Sequence, residues 1–383
     1  MSDSDLPSSM VVCEYSAASP SGICFTKRPP PITVSSPRPG LLGTALFAST
    51  GSLVVRVKAC GVNPVDAKYI IGDKFPVSWM EWCARRVSGH TPGFDFSGEV
   101  VRCPPDCGFK VGDEVFGLAD DPACIARGRF LMGSLGEYIS PPLNQVTLKP
   151  PGLSHAKAAA LPLVGVTAIQ VFSEHGLMEG QRVLVIGASG GVGHVATQVA
   201  SLKGAMVIGV CSKLNRNFVL ECGASVVLTY NDEGGDIIEK IEAEALENGK
   251  FHIVLDCVNS ADSRDSKPGY RERLLQISDQ ILKNPDLHNY VVLGGTTLQW
   301  IKAAIKRFIS VNLFSKSFEL FWIKMPNCTP YLNVLKELVE QPEGKRQLVP
   351  KIDQELEWTE ESVCMAFEAL RSRRTAGKIV LTM

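Results

Sequence analysis

The sequence VLVIGASGGVGHVATQVASLKGA, residues 183–205, decides the fold of the middle part of the chain that surrounds it. Residues 183–186 form a short apolar run, which is typical of a strand buried on both faces. Ala188, Gly190 and Gly193 follow with the spacing A-x-G-x-x-G, and a helical pattern begins at once. In that spacing the first residue permits a tight turn, the second lets backbone N–H groups approach a pyrophosphate, and the third lets the helix pack on the strand. A strand, a turn and a helix in this order predict a dinucleotide-binding turn rather than an ordinary glycine-rich loop.

The residues after the second predicted strand, 206–210, indicate which dinucleotide binds. An NAD site normally carries Asp or Glu about 20 residues after the glycines, where the carboxylate holds the ribose 2′-OH. This chain has no carboxylate there and carries Ser212, Lys213 and Arg216 instead. A hydroxyl, an ammonium and a guanidinium suit a 2′-phosphate, so the pattern predicts NADPH. The alternative is that Lys213 and Arg216 only solvate the start of a helix.

Composition and charge indicate a folded protein with a small-molecule partner. The 383 residues suffice for two domains, and 45% hydrophobic with 21% charged residues is the composition of a packed soluble chain. A net charge of −1 argues against nucleic acid or an anionic membrane as the main partner. No apolar run approaches the roughly 18 residues of a membrane span.

The amino terminus and the cysteines indicate the compartment. The first ten residues, MSDSDLPSSM, lack the basic and apolar regions of a signal peptide, so we expect a cytoplasmic protein. The twelve cysteines are scattered, and no second pair or histidine cluster completes a zinc site beside Cys103 and Cys107. Reduced thiols are therefore expected.

Two patterns divide the chain. Residues 1–40 are rich in Pro and Ser, and short strand candidates separated by Gly and Pro continue to residue 140, which predicts a β-barrel or sandwich. Strands and helices alternate from residue 183, which predicts an α/β fold with a parallel sheet and helices on both of its faces. The predicted strands are 53–59, 99–102, 114–118, 137–140, 183–186, 206–210, 225–228, 252–256, 290–293 and 378–382. Helices are expected from Ser154, over 271–282, over 331–340 and from Thr359.

Short motifs in a fixed order carry a resemblance to a known family. They are GVNPVD (61–66), TPGFDFSGEVV (91–101), VGDEVFG (111–117), GEY (136–138), AALP (159–162), TA (167–168) and GKIV (377–380). Over most of its length the chain resembles the zinc-independent quinone oxidoreductases, the zeta-crystallin-like branch of the medium-chain dehydrogenase/reductase superfamily. The resemblance implies a GroES-like β-barrel substrate domain at residues 1–160 and a Rossmann NADPH-binding domain with a doubly wound parallel sheet at 161–325. Residues 326–383 are then a return segment that completes the first domain.

The resemblance also implies a reaction without zinc. Zinc-dependent relatives carry a metal-binding Cys in the loop that here reads GVNPVD, and a His in the segment that here reads GFD. This chain has Asn63 and Phe94 at those places, and its sequence has no lobe of four closely spaced cysteines. We therefore expect no metal site.

Hydride transfer without a metal requires another group to stabilise the charge that develops on the acceptor oxygen. The candidate catalytic residues are Asn63 and Lys68, on the turn NPVDAKY. The chain matches the pattern Asn-Pro-x-Asp-x-Lys of a branch that includes chloroplast-envelope quinone-oxidoreductase-like enzymes and fungal trans-acting enoyl reductases. The alternatives are that Lys68 is a solvated surface residue, or that the adjacent Tyr69 faces the pocket. Asp66 is expected to orient the loop.

The resemblance implies the remaining cofactor contacts and the activity. Tyr230 is expected near the adenine ribose, and Arg373, with Arg374 as an equal rival, at the phosphates. The full set of expected cofactor-binding residues is Thr167, Ala188, Ser189, Gly190, Gly191, Val192, Gly193, Ser212, Lys213, Arg216, Tyr230 and Arg373. We expect an NADPH-dependent reductase of quinones or α,β-unsaturated carbonyl compounds. The alternatives are an enoyl-thioester reductase of polyketide or lipid synthesis and a catalytically weak NADPH-binding regulatory protein.

Two aromatic segments each have two interpretations. Trp79 and Trp82 lie in a loop that is longer than in the family, where they either line the substrate pocket or pack as ordinary loop residues. Residues 312–325 carry three Phe and one Trp. In the family this region ends the Rossmann sheet and takes part in dimer contacts, although an aromatic stripe is more often plain core. A homodimer is therefore a further expectation.

Overall fold

The computed structural model describes residues 6–16, 19, 21, 23–31, 52–67, 89–119, 133–232, 234–258, 270–294, 299, 302–303, 305, 318–325 and 327–383. The strands are β1 (Met10–Tyr15), β2 (Ile23–Arg28), β3 (Val54–Val62), β4 (Asp95–Arg102), β5 (Glu114–Leu118), β6 (Tyr138–Ile139), β7 (Val146–Leu148), β8 (Arg182–Ile186), β9 (Met206–Cys211), β10 (Val226–Thr229), β11 (Ile253–Asp256), β12 (Tyr290–Val292), β13 (Phe318–Leu320), β14 (Ile352–Glu357) and β15 (Lys378–Thr382).

The helices lie between these strands. They are α1 (Pro64–Ala67), α2 (His155–Ala159), α3 (Pro162–Glu174), α4 (Gly191–Leu202), α5 (Arg216–Glu221), α6 (Ile237–Asn248), α7 (Tyr270–Gln276), α8 (Ser278–Ile281), α9 (Thr329–Val339) and α10 (Glu360–Ser372). Short 3-10 turns cover Leu143–Gln145, Lys213–Asn215 and Pro285–Leu287. None of the helices in the described part of the chain has both the length and the apolar character needed to cross a membrane.

The chain divides into two compact units. The first contains residues 1–166, 325–340 and 350–383, and the second contains residues 167–324 and 341–349. The sequence places the domain boundaries after residues 160 and 325. Residues 341–349, which the sequence places in the return segment, belong to the second unit, because Gln198 on α4 holds the backbone of Val349. Its Oε1 accepts a hydrogen bond from Val349 N at 2.8 Å, and its Nε2 donates to Val349 O at 3.0 Å.

The second unit contains a six-stranded parallel sheet. Its strand order is β10-β9-β8-β11-β12-β13, so the first strand along the chain, β8, lies in the middle and the order reverses beside it. This is the order of doubly wound dinucleotide-binding folds, and it confirms the predicted fold class. All five residues of β8 are buried, as expected for a central strand of a parallel sheet.

The core of the second unit explains part of the aromatic stripe. Phe318 in β13 is buried and its ring centroid lies 6.4 Å from that of Tyr290 in β12. Trp322 packs against the same core cluster. These two aromatic residues are therefore core residues, whereas Phe314 lies outside the described residues.

The first unit is built on a seven-stranded sheet. Its main order is β14-β15-β3-β4-β5-β7, with β6 paired to β3, and β1 and β2 form a separate antiparallel pair. The last strand, β15, pairs with β3 in antiparallel register, with Ile379 opposite Val62. The carboxyl end of the chain therefore supplies an interior strand to a sheet that is built mainly from the first 150 residues.

Helix α2 packs closely on this sheet. Ser154 caps it as predicted, because Ser154 Oγ accepts a hydrogen bond from Lys157 N at 3.2 Å. The helix is rich in alanine, and Ala156 and Ala159 pack with Ala59 of β3 in one small cluster. A Cβ on Gly61 would lie 2.3 Å from Ala159 O, so only glycine permits this approach.

Two predicted elements differ from the observed ones for physical reasons. β4 begins at Asp95 rather than at residue 99, because Gly98 is a strand residue and not a turn. A Cβ on Gly98 would lie 2.3 Å from Arg56 O in the neighbouring strand. The helix predicted over 271–282 is divided at Ile277 into α7 and α8. The end of α8 is hydrogen-bonded to the segment that precedes β11, since Phe251 N donates to Ile281 O at 2.7 Å.

Candidate functional site

The glycine-rich turn lies at the carboxyl end of β8, in the second unit. Gly187 has a φ of 75°, which is the left-handed region that favours glycine. The N–H groups of Gly187 and Ala188 both donate to Val210 O, at 3.0 and 2.9 Å. The sequence assigned the tight turn to Ala188, and this detail is wrong: the strained position is Gly187, one residue earlier. An alanine is tolerated at position 188 because the preceding glycine makes the turn.

Two further glycines fix the start of α4. A Cβ on Gly193 would lie 2.0 Å from Gly187 O, so no side chain fits between the helix and the turn. A Cβ on Gly190 would meet only Gly187 O, at 3.3 Å. Gly190 is also the residue that precedes the helix, and no side chain caps it. The first N–H groups of α4 are therefore available to an anionic group that approaches at Gly190.

The predicted 2′-phosphate residues follow β9, at the same end of the sheet. Lys213 and Arg216 are exposed, and Ser212 is half-buried. Asn215 Nδ2 donates to Ser189 Oγ at 3.2 Å, which joins this segment to the glycine-rich turn. This contact places the segment that carries Lys213 and Arg216 beside the turn.

The loop after β10 forms the next part of this edge. Asn231 Oδ1 accepts a hydrogen bond from Lys213 N at 2.7 Å, and Tyr230 is 57% exposed. Asp232 also lies in this loop, where Lys240 and Thr229 bind its carboxylate, and their hydrogen bonds lower its pKa to about 2. A paired carboxylate of this kind leaves the positive charge of Lys213 available.

Two other predicted cofactor residues lie in the described part of the chain, and four candidate pocket residues lie outside it. Thr167 is buried in α3. Arg373 belongs to the first unit, where it follows α10 with a φ of 58°. Lys68, Tyr69, Trp79 and Trp82 lie outside the described residues.

In the first unit, Asn63 follows β3 and is buried. Its Nδ2 donates to Asp95 Oδ2 at 2.9 Å, and its Oδ1 accepts from Lys378 Nζ at 2.5 Å. Both ends of the side-chain amide are therefore occupied. This geometry argues against the predicted role of Asn63 as a donor to a substrate oxygen and favours a role in holding the turn.

Asp66 is fully buried on the same turn. Its Oδ2 accepts from Asn63 N at 2.7 Å and its Oδ1 from Gly93 N at 3.2 Å, while Tyr15 Oη donates to its backbone oxygen at 2.8 Å. Burial raises the pKa of the Asp66 carboxyl to about 7, and the two backbone hydrogen bonds oppose that rise. These contacts join three segments and fit the expected orienting role.

Lys378 and Asp95 form a buried ion pair that the sequence analysis missed. Lys378 Nζ lies 3.0 Å from Asp95 Oδ2 and also donates to Val62 O at 3.1 Å. The other carboxylate oxygen of Asp95 accepts from Leu163 N at 2.6 Å. The only signal in the sequence was the motif GKIV, which indicated the family and no role for its lysine.

A second buried ion pair lies at the carboxyl end of β11. Asp256 is fully buried, and its Oδ2 accepts from Arg271 Nε at 2.8 Å. Its Oδ1 accepts from Tyr270 Oη at 2.5 Å. Burial raises the pKa of Asp256, and Arg271 and Tyr270 oppose the rise. Among the described residues, no group of three or more His, Cys, Asp or Glu side chains is arranged to hold a metal ion.

Comparisons with known proteins agree with the two-unit architecture. Residues 49–151 match the family model of the alcohol dehydrogenase GroES-like domain, and residues 191–267 match that of the zinc-binding dehydrogenases. Among solved structures, the quinone oxidoreductase of Coxiella burnetii superposes with a TM-score of 0.69 at 23% identity, over 98% of this chain and 99% of that one. The match confirms the fold, a GroES-like domain together with a doubly wound sheet.

Three curated proteins show the sequence similarity. The human mitochondrial NAD(P)H oxidoreductase RTN4IP1 is 28% identical over 359 residues, which are 86% of this chain and 81% of the relative. The trans-enoyl reductase pgmF of Aspergillus terreus is 30% identical over 67% of this chain and 66% of its own length. The 2-methylene-furan-3-one reductase of Solanum lycopersicum is 32% identical, and the match spans 55% of this chain and half of that protein.

Proposed function

Because the chain belongs to the medium-chain dehydrogenase/reductase superfamily and is an oxidoreductase of that type, we propose that it transfers hydride from NADPH to quinones or α,β-unsaturated carbonyl compounds. The relatives with the names NAD(P)H oxidoreductase and 2-methylene-furan-3-one reductase support the reaction class. Beyond this reaction class, we propose the type of acceptor and NADPH as the cofactor.

The observation that carries the choice of NADPH is the charge beside the glycine-rich turn. Lys213 and Arg216 are exposed at the end of β9, and Asn215 fixes their segment to Ser189 in the turn. In the adjoining loop, the carboxylate of Asp232 is already bound by Lys240. A phosphate on the ribose 2′ position would therefore meet two cations, and the Asp232 carboxylate would not compete with it for them.

The glycine-rich turn provides the space for the rest of the dinucleotide. When bound, NADPH supplies the hydride that reduces the acceptor. The residues of this chain would bind and orient it: the first N–H groups of α4 would hold the anionic pyrophosphate, and Gly190 leaves its approach open. A side chain at position 190 would occupy that cradle.

We also propose that the reaction needs no zinc. Asn63 and Phe94 stand where zinc-dependent relatives carry metal ligands. Asn63 is engaged by Lys378 and Asp95, and the buried ammonium of Lys378 already balances the charge of that carboxylate. A divalent cation at this place would be repelled by the lysine.

With Asn63 engaged, Lys68 is the remaining candidate for stabilising the acceptor oxygen. It follows the turn that Asp66 holds through Asn63 N and Gly93 N. An ammonium in that place would lower the barrier by interacting with the charge that appears only as hydride arrives.

An enoyl-thioester reductase is the second candidate function. The similarity to a trans-enoyl reductase, over two-thirds of this chain, favours it. The chemistry is the same, since the thioester carbonyl activates the alkene as the ketone of an enone does. The two candidates differ in the size of the acceptor that the substrate pocket admits.

An acceptor panel tests the proposal. NADPH oxidation would be followed with 1,4-quinones, 2-alkenals, cyclic enones and enoyl thioesters, before and after treatment with a chelator. We expect turnover with at least one quinone or enone and no effect of the chelator. Turnover with enoyl thioesters alone selects the second candidate. NADPH binding without turnover on any acceptor contradicts both and supports a regulatory NADPH-binding protein.

Location and assembly complete the proposal. We propose a cytoplasmic protein, whereas the human relative is described as mitochondrial, so imaging of the full-length protein in cells decides the compartment.

We also propose a homodimer, because β13 is the last strand of its sheet and its outer edge is unpaired within the described chain. Sedimentation analysis that gives a monomer at all concentrations would contradict the dimer.

A further inference from the structure

Asp256, Arg271 and Tyr270 form a buried polar cluster, the Asp256 cluster, at the carboxyl end of β11. Arg271 and Asp256 are 5% and 0% exposed. The Arg271 guanidinium uses three nitrogens: Nε donates to Asp256, Nη1 to Gly294 O at 2.9 Å and Nη2 to Val258 O at 2.8 Å. Tyr270 Oη also lies 3.2 Å from Val258 O. The cluster is therefore a satisfied network with specific backbone partners.

Arg271 joins the backbone segments that leave two neighbouring strands. Val258 follows β11, and Gly294 follows β12, which lies beside it in parallel register. A single planar side chain thus fixes the separation of the two segments at the carboxyl edge of the sheet. A lysine in its place would keep the charge but would lose the fork of donors that reaches both carbonyl groups.

The Asp256 cluster lies next to the glycine-rich turn. Asp256 is opposite Ile186, the last residue of β8, and Cys257 N donates to Ile186 O at 3.0 Å. A Cβ on Gly187 would lie 2.7 Å from Val258 Cγ2, so the segment held by Arg271 packs directly against the turn.

The strand order tells which half of a dinucleotide would lie here. The order reverses between β8 and β11, and in such sheets the ligand crosses the carboxyl edge at the reversal, with one mononucleotide on each side. Lys213 and Tyr230 follow β9 and β10, on the adenosine side. The segments after β11 and β12 are consequently on the nicotinamide side.

We propose that Arg271 is a positioning residue for the nicotinamide half of the cofactor, acting through the backbone of Val258 and Gly294. This inference rests on the proposed function. The residue touches no reacting atom; it fixes the surface on which the nicotinamide ring rests. Hydride transfer is sensitive to such a surface, because a displacement of about 1 Å at the reacting centre costs as much as 10²-fold in rate.

A simpler role for a buried ion pair such as Asp256–Arg271 is to stabilise the folded protein. Buried pairs contribute little net stability compared with well-packed apolar residues, and the loss of one partner is costly in either case. A useful experiment must therefore distinguish an effect of the substitution on the geometry of the carboxyl edge from an effect on the stability of the sheet.

Arg182 offers a matched control within the same sheet. It is also buried, and its Nη2 lies 2.6 Å from Glu244 Oε1 in a second ion pair. It is the first residue of β8, at the amino edge, opposite to the glycine-rich turn. Arg271→Lys and Arg182→Lys make the same chemical change at the two ends of one sheet.

Five quantities would be measured for the full-length wild type and both variants. They are the melting temperature, the dissociation constants of NADPH and of 2′,5′-ADP, kcat with the best acceptor, and the primary isotope effect with NADPH deuterated at the transferred position. The compound 2′,5′-ADP carries the adenosine half alone, so it reports on that side of the sheet without the nicotinamide.

We expect both variants to melt at a lower temperature and to bind 2′,5′-ADP as the wild type does. Arg271→Lys alone should lower kcat by about ten- to a hundredfold, increase the isotope effect and weaken NADPH relative to 2′,5′-ADP. Equal kcat and isotope effects in the two variants, or equal weakening of both ligands, would overturn the proposal. A wild type without turnover contradicts the proposed function only; the ratio of the two dissociation constants then decides this inference.

Discussion

Lys378 in the last strand and Asp95 in β4 lie 283 positions apart in the sequence, yet their charged atoms are 3.0 Å apart and both side chains are buried. Asn63 completes the group by bonding to both. The pair fixes β15 beside β3 and at the same time holds the turn that follows β3. One ion pair thus connects the carboxyl end of the chain to the turn that precedes Lys68.

Removal of the lysine tests the energetic role of this pair. Lys378→Met leaves Asp95 buried without its cation, so we expect a loss of roughly 3–5 kcal/mol in the free energy of unfolding. The double variant Lys378→Met with Asp95→Asn should recover at least about 1 kcal/mol, because no unpaired charge remains. Urea unfolding gives both values.

The partly exposed pair Arg56–Glu99 in the same unit, with side chains 43% and 33% exposed, is the control. Arg56→Met should cost less than about 1 kcal/mol, since a solvated ion pair contributes little. A similar loss of unfolding free energy in Arg56→Met and Lys378→Met would show that burial does not increase the contribution of the Asp95 pair to stability.

Asp66 predicts an unusual dependence of stability on pH. Burial raises its pKa to about 7 in the folded state, against about 3.9 in an unfolded chain. Between these values the folded protein keeps a proton that the unfolded chain has released, so this group's contribution is most favourable below pH 4 and declines as the pH rises to 7. Asp66→Asn removes the titration. The stability of the variant relative to the wild type should improve by roughly 3–4 kcal/mol between pH 4 and pH 8. Parallel pH profiles for the two proteins would be evidence against the raised pKa.

Cofactor choice is tested at Lys213 and Arg216. Replacement of both by alanine should raise the dissociation constant of NADPH by about ten- to a hundredfold, because charge-assisted hydrogen bonds contribute roughly 1.5–3 kcal/mol. The dissociation constant of NADH should change little. Lys203, exposed at the far end of α4, is the matched control, and Lys203→Ala should leave both constants unchanged. Equal losses for NADPH and NADH in the double variant would refute the assignment.

Lys68→Met tests the proposed stabilisation of the acceptor oxygen. The substitution keeps the length of the side chain and removes its charge, so NADPH should bind as before. We expect kcat with enones to fall by about 10²-fold, as for the loss of an oxyanion donor. Quinones accept hydride with less help and should be affected less. Unchanged kcat with both classes of acceptor would place Lys68 on the solvated surface.

Local patterns were sufficient to predict five of the six strands in the sheet of the second unit and the starts of two helices in the first unit. The apolar runs, the glycine spacing and the Ser154 and Thr359 caps are each decided within a few residues, and each one is present in the structure. The exact turn position was wrong, because sequence spacing does not reveal that Gly187, and not Ala188, has the positive φ.

The buried ion pairs could not be predicted in the same way. Arg271 follows Asp256 by 15 positions, and Lys378 follows Asp95 by 283. Hydrophobic periodicity marks which faces are buried, but a charged residue becomes buried only where a distant partner compensates it. For the same reason the sequence does not reveal that Asn63 is held by Asp95 and Lys378, since both partners are remote from it along the chain.

The place of β15 inside the first sheet has a consequence for the synthesis of this protein. The ribosome completes β3, β4 and β5 long before residues 378–382 emerge, and until then β3 presents an open edge and Asp95 lacks its cation. An open edge of this kind is a site of incorrect pairing with other chains. The nascent first unit is therefore exposed to such incorrect pairing until residues 378–382 are released. A premature stop at residue 378 would leave the whole sheet unfinished.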